Sequence, residues 1–153
     1  MKYYERAAAL RVDDYQALIF AGICYRALGR RDEENEANER ALAAIERALA
    51  LNPSDSRALY LGASVLHSRG ETVKHEEWIR RAVQSDPTNP LMLYNVGCSY
   101  ALVGKSELAL DHLERAMELG MRNVDWLLTD PDLESVRSDP RFQALIKETQ
   151  QKK

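Results

Sequence analysis

One cadence returns three times along this chain: Leu18, Gly22, Tyr25, Gly29; then Leu59, Ala63, Leu66, Gly70; then Leu93, Gly97, Tyr100, Gly104, each set spaced four, three, four. The interval from Gly70 to Gly104 is the same as that from Pro53 to Pro87. Large and small apolar residues at helical spacing, returning at this fixed period, predict a row of similar two-helix units rather than a globule around one central core.

Within a unit the pattern has a mechanical meaning. From Ser56 to Gly70, the residues Leu59, Gly62, Ala63 and Leu66 draw one buried stripe down a helix, here called helix A. Gly70 stops it where a left-handed residue closes the last turn, and an antiparallel helix B is predicted over 72–85 with Ile79, Ala82 and Val83 inward. Ala63 and Ala82 are small enough for close approach, and Asp86-Pro87 ends helix B because proline cannot continue it. The third unit repeats this with Gly97 and Ala116 as small contacts, Ala109 and Leu113 between them, and Gly120 in place of the Asp-Pro exit.

The first unit is irregular. The interval from Gly29 to Ala48 exceeds those from Gly70 to Ala82 and from Gly104 to Ala116, which makes its helix B longer by close to two α-helical turns. An insertion of that size keeps the buried face in line. The inserted run RRDEENEANER has the charge of a solvated surface, so it is expected to protrude, as a bare overhang or as an arm for a neighbouring domain or second copy.

At the N-terminus, Tyr4, Ala7 and Leu10 fit a helix B whose helix A is absent. A bare helix carrying Tyr3 and Tyr4 reads either as a segment of a larger protein or as a self-association surface through which a homodimer would form. After Gly120 the cadence is lost, and Asp130-Pro131 and Asp139-Pro140 each read as an N-cap followed by proline at the first helical position. Trp126, Leu127, Leu133, Val136, Phe142, Leu145 and Ile146 would let short helices there cover the last unit as a cap. The expected organisation is a lone helix over 1–14, units over 15–54, 55–88 and 89–120, and capping helices over 121–153.

These residues resemble the tetratricopeptide repeat (TPR) family over residues 1–120. The best instance is LYNVGCSYALVGKSELALDHLERAMEL, where Leu93, Gly97, Tyr100, Gly104, Ala109, Leu113 and Ala116 fall on signature positions. Departures are Leu in place of the signature Trp in all three units, His75 in place of an alanine, and Met121 in place of the closing proline. The resemblance implies an all-α fold, a right-handed superhelix of about three and a half hairpins, acting as a non-catalytic protein–protein interaction module. In that family the A helices line a concave groove, which implies Gln16, Ile19, Phe20, Ile23 and Arg26, then Arg57, Tyr60, Leu61, Ser64 and His67, then Leu91, Tyr94, Asn95, Cys98 and Ala101 as partner-facing residues. Members that clamp a chaperone's terminal carboxylate use Lys and Asn where this chain has Ile19 and Ile23, so that partner is disfavoured and an extended or helical peptide held by Tyr60 and Tyr94, with Arg26 and Arg57 at the edge, is expected. The phrase WLLTDPDLESVRSDPRFQAL looks like the end of TPR regions in multidomain bacterial signalling proteins, such as nucleotidyl cyclases, serine/threonine kinases and DNA-binding regulators. That implies an alternative role as a regulatory or dimerisation region of a larger enzyme.

Other classes are expected to be absent. Net charge is −3 with Lys and Arg scattered, which leaves no footprint for nucleic acid. No apolar stretch is long enough for a membrane span, so a cytoplasmic chain is expected, with Cys24 and Cys98 reduced. His67, His75 and His112 form no HExxH, and no Gly-rich phosphate loop or GxSxG occurs, so neither catalytic residues, nor a metal, nor a cofactor are expected. His67 and His75 flank the Gly70 turn and read as ordinary inter-helix histidines, with a zinc pair as the sharper alternative; Asp32, Glu33, Glu34 and Glu36 read as solvated. Small-ligand binding ranks last, because so few units seldom enclose a pocket.

Overall fold

The computed structural model describes residues 14–151. All regular structure among them is helical: α1 (Tyr15–Ala27), α2 (Arg31–Leu51), α3 (Ser56–Ser68), α4 (Thr72–Ser85), α5 (Pro90–Leu102), α6 (Ser106–Glu118), α7 (Val124–Thr129), a 3-10 turn (Pro131–Leu133) and α8 (Pro140–Gln151). Tyr3 and Tyr4 lie outside the described residues.

Local chemistry sets the helix limits. Each A helix opens on a short polar side chain that accepts a backbone N–H of the first turn: Asp14 from Ala17, Asp55 from Ala58, Asn89 from Met92 and Asn123 from Trp126. After α1, α3 and α5 the chain turns at Gly29, Gly70 and Gly104 with φ of 70°, 75° and 74°, a left-handed conformation that costs glycine least. Helix B starts at once.

The element starts expose a regularity that the side chains hide. Ser56, Pro90 and Val124 begin successive A helices and Thr72, Ser106 and Pro140 successive B helices, each start one full period after the last. The period therefore continues past Gly120, contrary to the sequence reading: the tail is a fourth hairpin whose A helix is broken. The break has a visible cause, since Pro131 stands one period after Gly97, in mid-helix, and has no N–H to give. Asp130 then restarts the chain by accepting the Asp132 N–H into the 3-10 turn.

The residues divide into two compact units between Ala82 and Val83. In the first, α1 packs on α2 at Gly22, where an added Cβ would stand 2.9 Å from Asn38 Oδ1 and 3.8 Å from the Ala37 methyl. Ala41 follows Gly29 at the same interval as Ala82 follows Gly70 and Ala116 follows Gly104, and all three alanines are fully buried. The in-hairpin register is thus unbroken, and the two extra turns of α2 follow Ala41 instead of preceding it. They are no bare overhang, because Ala44, Ile45 and Leu49 are buried and Ile45 lies against Gly62 of α3. The run expected to protrude sets Ala37 and Asn38 inward and only its charged face outward.

Hairpin α3–α4 closes on Gly62 and not on the neighbouring Ala63. The Trp78 ring occupies the space that a Gly62 Cβ would need. Ala63 instead offers its carbonyl to the buried His75, whose Nδ1 lies 2.9 Å away. Ion pairs Lys74–Glu46 at 2.8 Å and Arg69–Glu39 at 3.8 Å tie the B side of this unit together.

The second unit closes α5 on α6 through Gly97, which faces Leu113 and the Ala109 carbonyl. Segment 124–136 then lies against α5, and α8 against α6 and α7, with Leu127, Leu133, Val136 and Phe142 fully buried. Arg141 joins α8 to α6 by pairing with Glu107 at 2.7 Å, Asp111 at 2.8 Å and Glu114 at 2.9 Å, three carboxylates that helical spacing puts on one face.

Candidate functional site: the faces of the A helices

Hairpin packing consumes one side of each A helix, so function is sought on the other. On α1 that side carries Phe20, 43% exposed, and Ile23, 52% exposed, while Leu18, Ala21 and Gly22 are spent on packing. Ile19, expected beside them, is buried. Arg26 closes the row and donates to Glu34 at 2.6 Å.

On α3 the expected residues separate. Tyr60 is buried, and that burial pushes its hydroxyl pKa up, against the pull of the neighbouring Arg57. Ser64 is exposed but turns its hydroxyl back to the Leu61 carbonyl at 2.7 Å. His67 stands half-buried, its ring centroid 5.6 Å from that of His75. Burial, then His75, then Arg26 hold its pKa below the ordinary histidine value. Arg26 and His67 are brought together: with Gly29, Arg31, Glu34 and Ser68 they line an open cavity of about 370 Å³ at the glycine-turn end of α1 and α3.

The α5 face is closed by the chain itself. Tyr94, expected as an open anchor, is buried, and its hydroxyl donates to Asp130 Oδ2 at 2.7 Å. Cys98 is buried with its sulfur 3.8 Å from the same oxygen, and burial beside Asp130 drives its thiol pKa well above the ordinary value. Ser135 donates to the Ala101 carbonyl at 2.9 Å, and Asn95 to the Leu91 carbonyl of its own helix at 2.7 Å. Because the fourth A helix breaks at Pro131, segment 130–136 is free to cross over these positions. Nothing near Tyr94 in sequence signals this, since its partner belongs to the next hairpin.

Trp126 also departs from expectation. Assigned to the apolar cover, it is 50% exposed and only touches the Tyr94 ring, at 6.1 Å between centroids. Among the described residues no three His, Cys, Asp or Glu are grouped to hold a metal, and no helix is long and apolar enough to cross a membrane.

Comparison with known proteins supports the geometry. Residues 27–90 match the sequence model of the tetratricopeptide repeat family. Over those residues the hairpins are tetratricopeptide repeats. Among solved structures, "Crystal structure of MamA" shares 15% identity with a TM-score of 0.57, over 97% of this chain and 84% of that one. "MamA RS-1 ArsTM double mutant" shares 18% identity with a TM-score of 0.55, over 99% and 83%. At such identities the likeness establishes the TPR fold alone. A chloroplastic protein of Arabidopsis thaliana is 32% identical over 81 residues, 49% of this chain and 24% of its own length. BBSome complex member BBS4 of Bos taurus is 25% identical over 139 residues, 91% of this chain and 25% of its own. The chain thus spans about a quarter of the length of these curated relatives. A TPR array is by architecture a protein–protein interaction module.

Proposed function

We propose that this chain holds a segment of another protein on the A-helix face of its first unit, over Phe20 and Ile23 of α1 and along Leu61 and Ser64 of α3. The carrying observation is that Phe20 and Ile23 stay about half exposed in the middle of a helix whose Ala17, Leu18, Ile19, Ala21 and Gly22 are buried. Apolar side chains fixed on a rigid helix gain from a partner's apolar surface with little ordering cost. Arg57 flanks this strip near one end and Arg26 and His67 near the other, which suits a peptide with polar groups at both ends of an apolar centre. One relative is by name a member of a complex, which agrees with a role in assembly. Tyr94 and Cys98 have no part in this reading, since the chain's own Asp130 occupies them.

The test is a titration of a purified partner, obtained by affinity capture and then produced separately, against the parent chain and a Phe20→Ser, Ile23→Ser variant. The substitutions are at exposed sites, so the helical signal should be kept while affinity falls about tenfold or more. Equal affinity for both chains would refute the placement.

A further inference from the structure

A second surface lies in the other unit and is independent of the first. Trp126 is half exposed, whereas Trp78 is buried. Helix α7 turns it outward because Val124 and Leu127 take the packed face. It is nonetheless fixed: its ring is tilted 45° against Tyr94, the Tyr94 hydroxyl is bound to Asp130 at 2.7 Å, and the Asp130 N–H donates to the Trp126 carbonyl at 2.8 Å. A half-exposed indole already held in one position loses little freedom on binding, which is the property of an interface anchor.

The stretch of chain that carries it is acidic. Asp125, Asp130, Asp132 and Glu134 fall within residues 123–136, and no Lys or Arg does. Residues 83–151 hold 11 acidic and 6 basic side chains, net −5, against 11 and 10, net −1, in residues 14–82. Three of the acids, Glu107, Asp111 and Glu114, are matched by Arg141, and Glu134 pairs with Arg137. Arg137 also reaches segment 130–136, but there it donates to the Asp130 backbone carbonyl and not to its carboxylate. Among the described residues no cation pairs with the carboxylate of Asp125 or of Asp130, which stand on either side of the indole in sequence.

We propose that Trp126 anchors a basic protein segment, with an arginine laid on the indole and Asp125 and Asp130 supplying the opposing charge. Arginine suits the site better than lysine because its planar guanidinium stacks on an aromatic face and binds carboxylates through two parallel donors. The complementarity excludes an acidic occupant, which would meet like charge from both carboxylates.

The probe is a tetra-arginine peptide, with tetra-glutamate as its counterpart, titrated at low and high salt while Trp126 emission is followed, the Trp126→Phe chain giving the background from Trp78. A saturable change is expected with tetra-arginine alone, weakening as salt rises. In parallel calorimetric titrations affinity should fall about tenfold in Trp126→Ala, be largely kept in Trp126→Phe, and fall in Asp125→Asn. No saturable response to tetra-arginine, an equal response to tetra-glutamate, or undiminished binding by Trp126→Ala would each overturn the proposal. Circular dichroism of the variants separates loss of fold from loss of the anchor, and none of these outcomes bears on Phe20 and Ile23.

Discussion

Gly62→Ala asks whether the second hairpin closes where the structure puts it. On helix propensity alone the change should stabilise by about 1 kcal/mol, since glycine is the poorer residue in a helix interior. The packing opposes this. The new methyl would stand 2.7 Å from Trp78 Cε3 and 3.1 Å from Ile45 Cγ2, and closer still to Trp78 Cζ3. The Trp78 ring is rigid and buried and cannot yield as the end of a flexible chain would. Overpacking costs about 1–3 kcal/mol, and a contact this short against a ring that cannot yield belongs at about 2–3 kcal/mol, so after the gain in propensity the net effect should be about 1–2 kcal/mol of destabilisation. For a chain of this size that lowers the thermal midpoint by about 2–8 °C, read by far-ultraviolet circular dichroism. In a Trp78→Leu background, with the ring gone, the same substitution should cost little. A Gly62→Ala chain as stable as the parent, or an equal cost in both backgrounds, would show that the hairpin does not close on Gly62.

Other consequences are as direct. His67 has a folded pKa below its unfolded value of about 6.5, so the unfolded chain binds the proton more readily; stability is full above that pH and falls as pH drops through it toward the folded value. Thermal melts from neutral to acid pH should show this slope, and His67→Gln should reduce it. Arg141→Ala should lower the midpoint by leaving Glu107, Asp111 and Glu114 uncompensated on one helix face, and the loss should shrink in high salt; a salt-independent loss would contradict the electrostatic account. Truncation after Gly120 should cause aggregation or a large fall in the midpoint, because it strips Leu127, Leu133, Val136 and Phe142 from the faces of α5 and α6; a soluble, equally stable product would show that the fourth hairpin is dispensable.

Much of this fold is legible in the sequence because its signals are local. The glycine turns, the Asp and Asn caps and the small residue facing helix B can each be read from a few neighbouring positions, and helix 72–85 falls at its expected limits. The fourth hairpin is not legible, because the residues equivalent to Gly97, Gly104, Ala109 and Ala116 are Pro131, Ser138, Gln143 and Gln150: the period survives only in where the helices begin. Two registers are ambiguous in the sequence because nearby small residues could serve either way. Ala41 and Ala48 lie about two helical turns apart and share a face of α2, and Gly62 and Ala63 are adjacent small residues that only the position of Trp78 distinguishes. Of the candidate site, Ile23 and Arg26 stand at the surface and His67 half-buried beside them, whereas Ile19, Tyr60, Tyr94 and Cys98 are buried, the last two because Asp130, distant in sequence, lies over them.

On this reading a partner covers the open side of α1 and α3. The decisive measurement is amide hydrogen exchange of the chain alone and saturated with its purified partner. Added protection is expected over residues 16–26 and 57–67, with α2 and α4 unchanged, and should be lost in the Phe20→Ser, Ile23→Ser variant. Protection confined to α2 and α4, or kept in full by that variant, would contradict it.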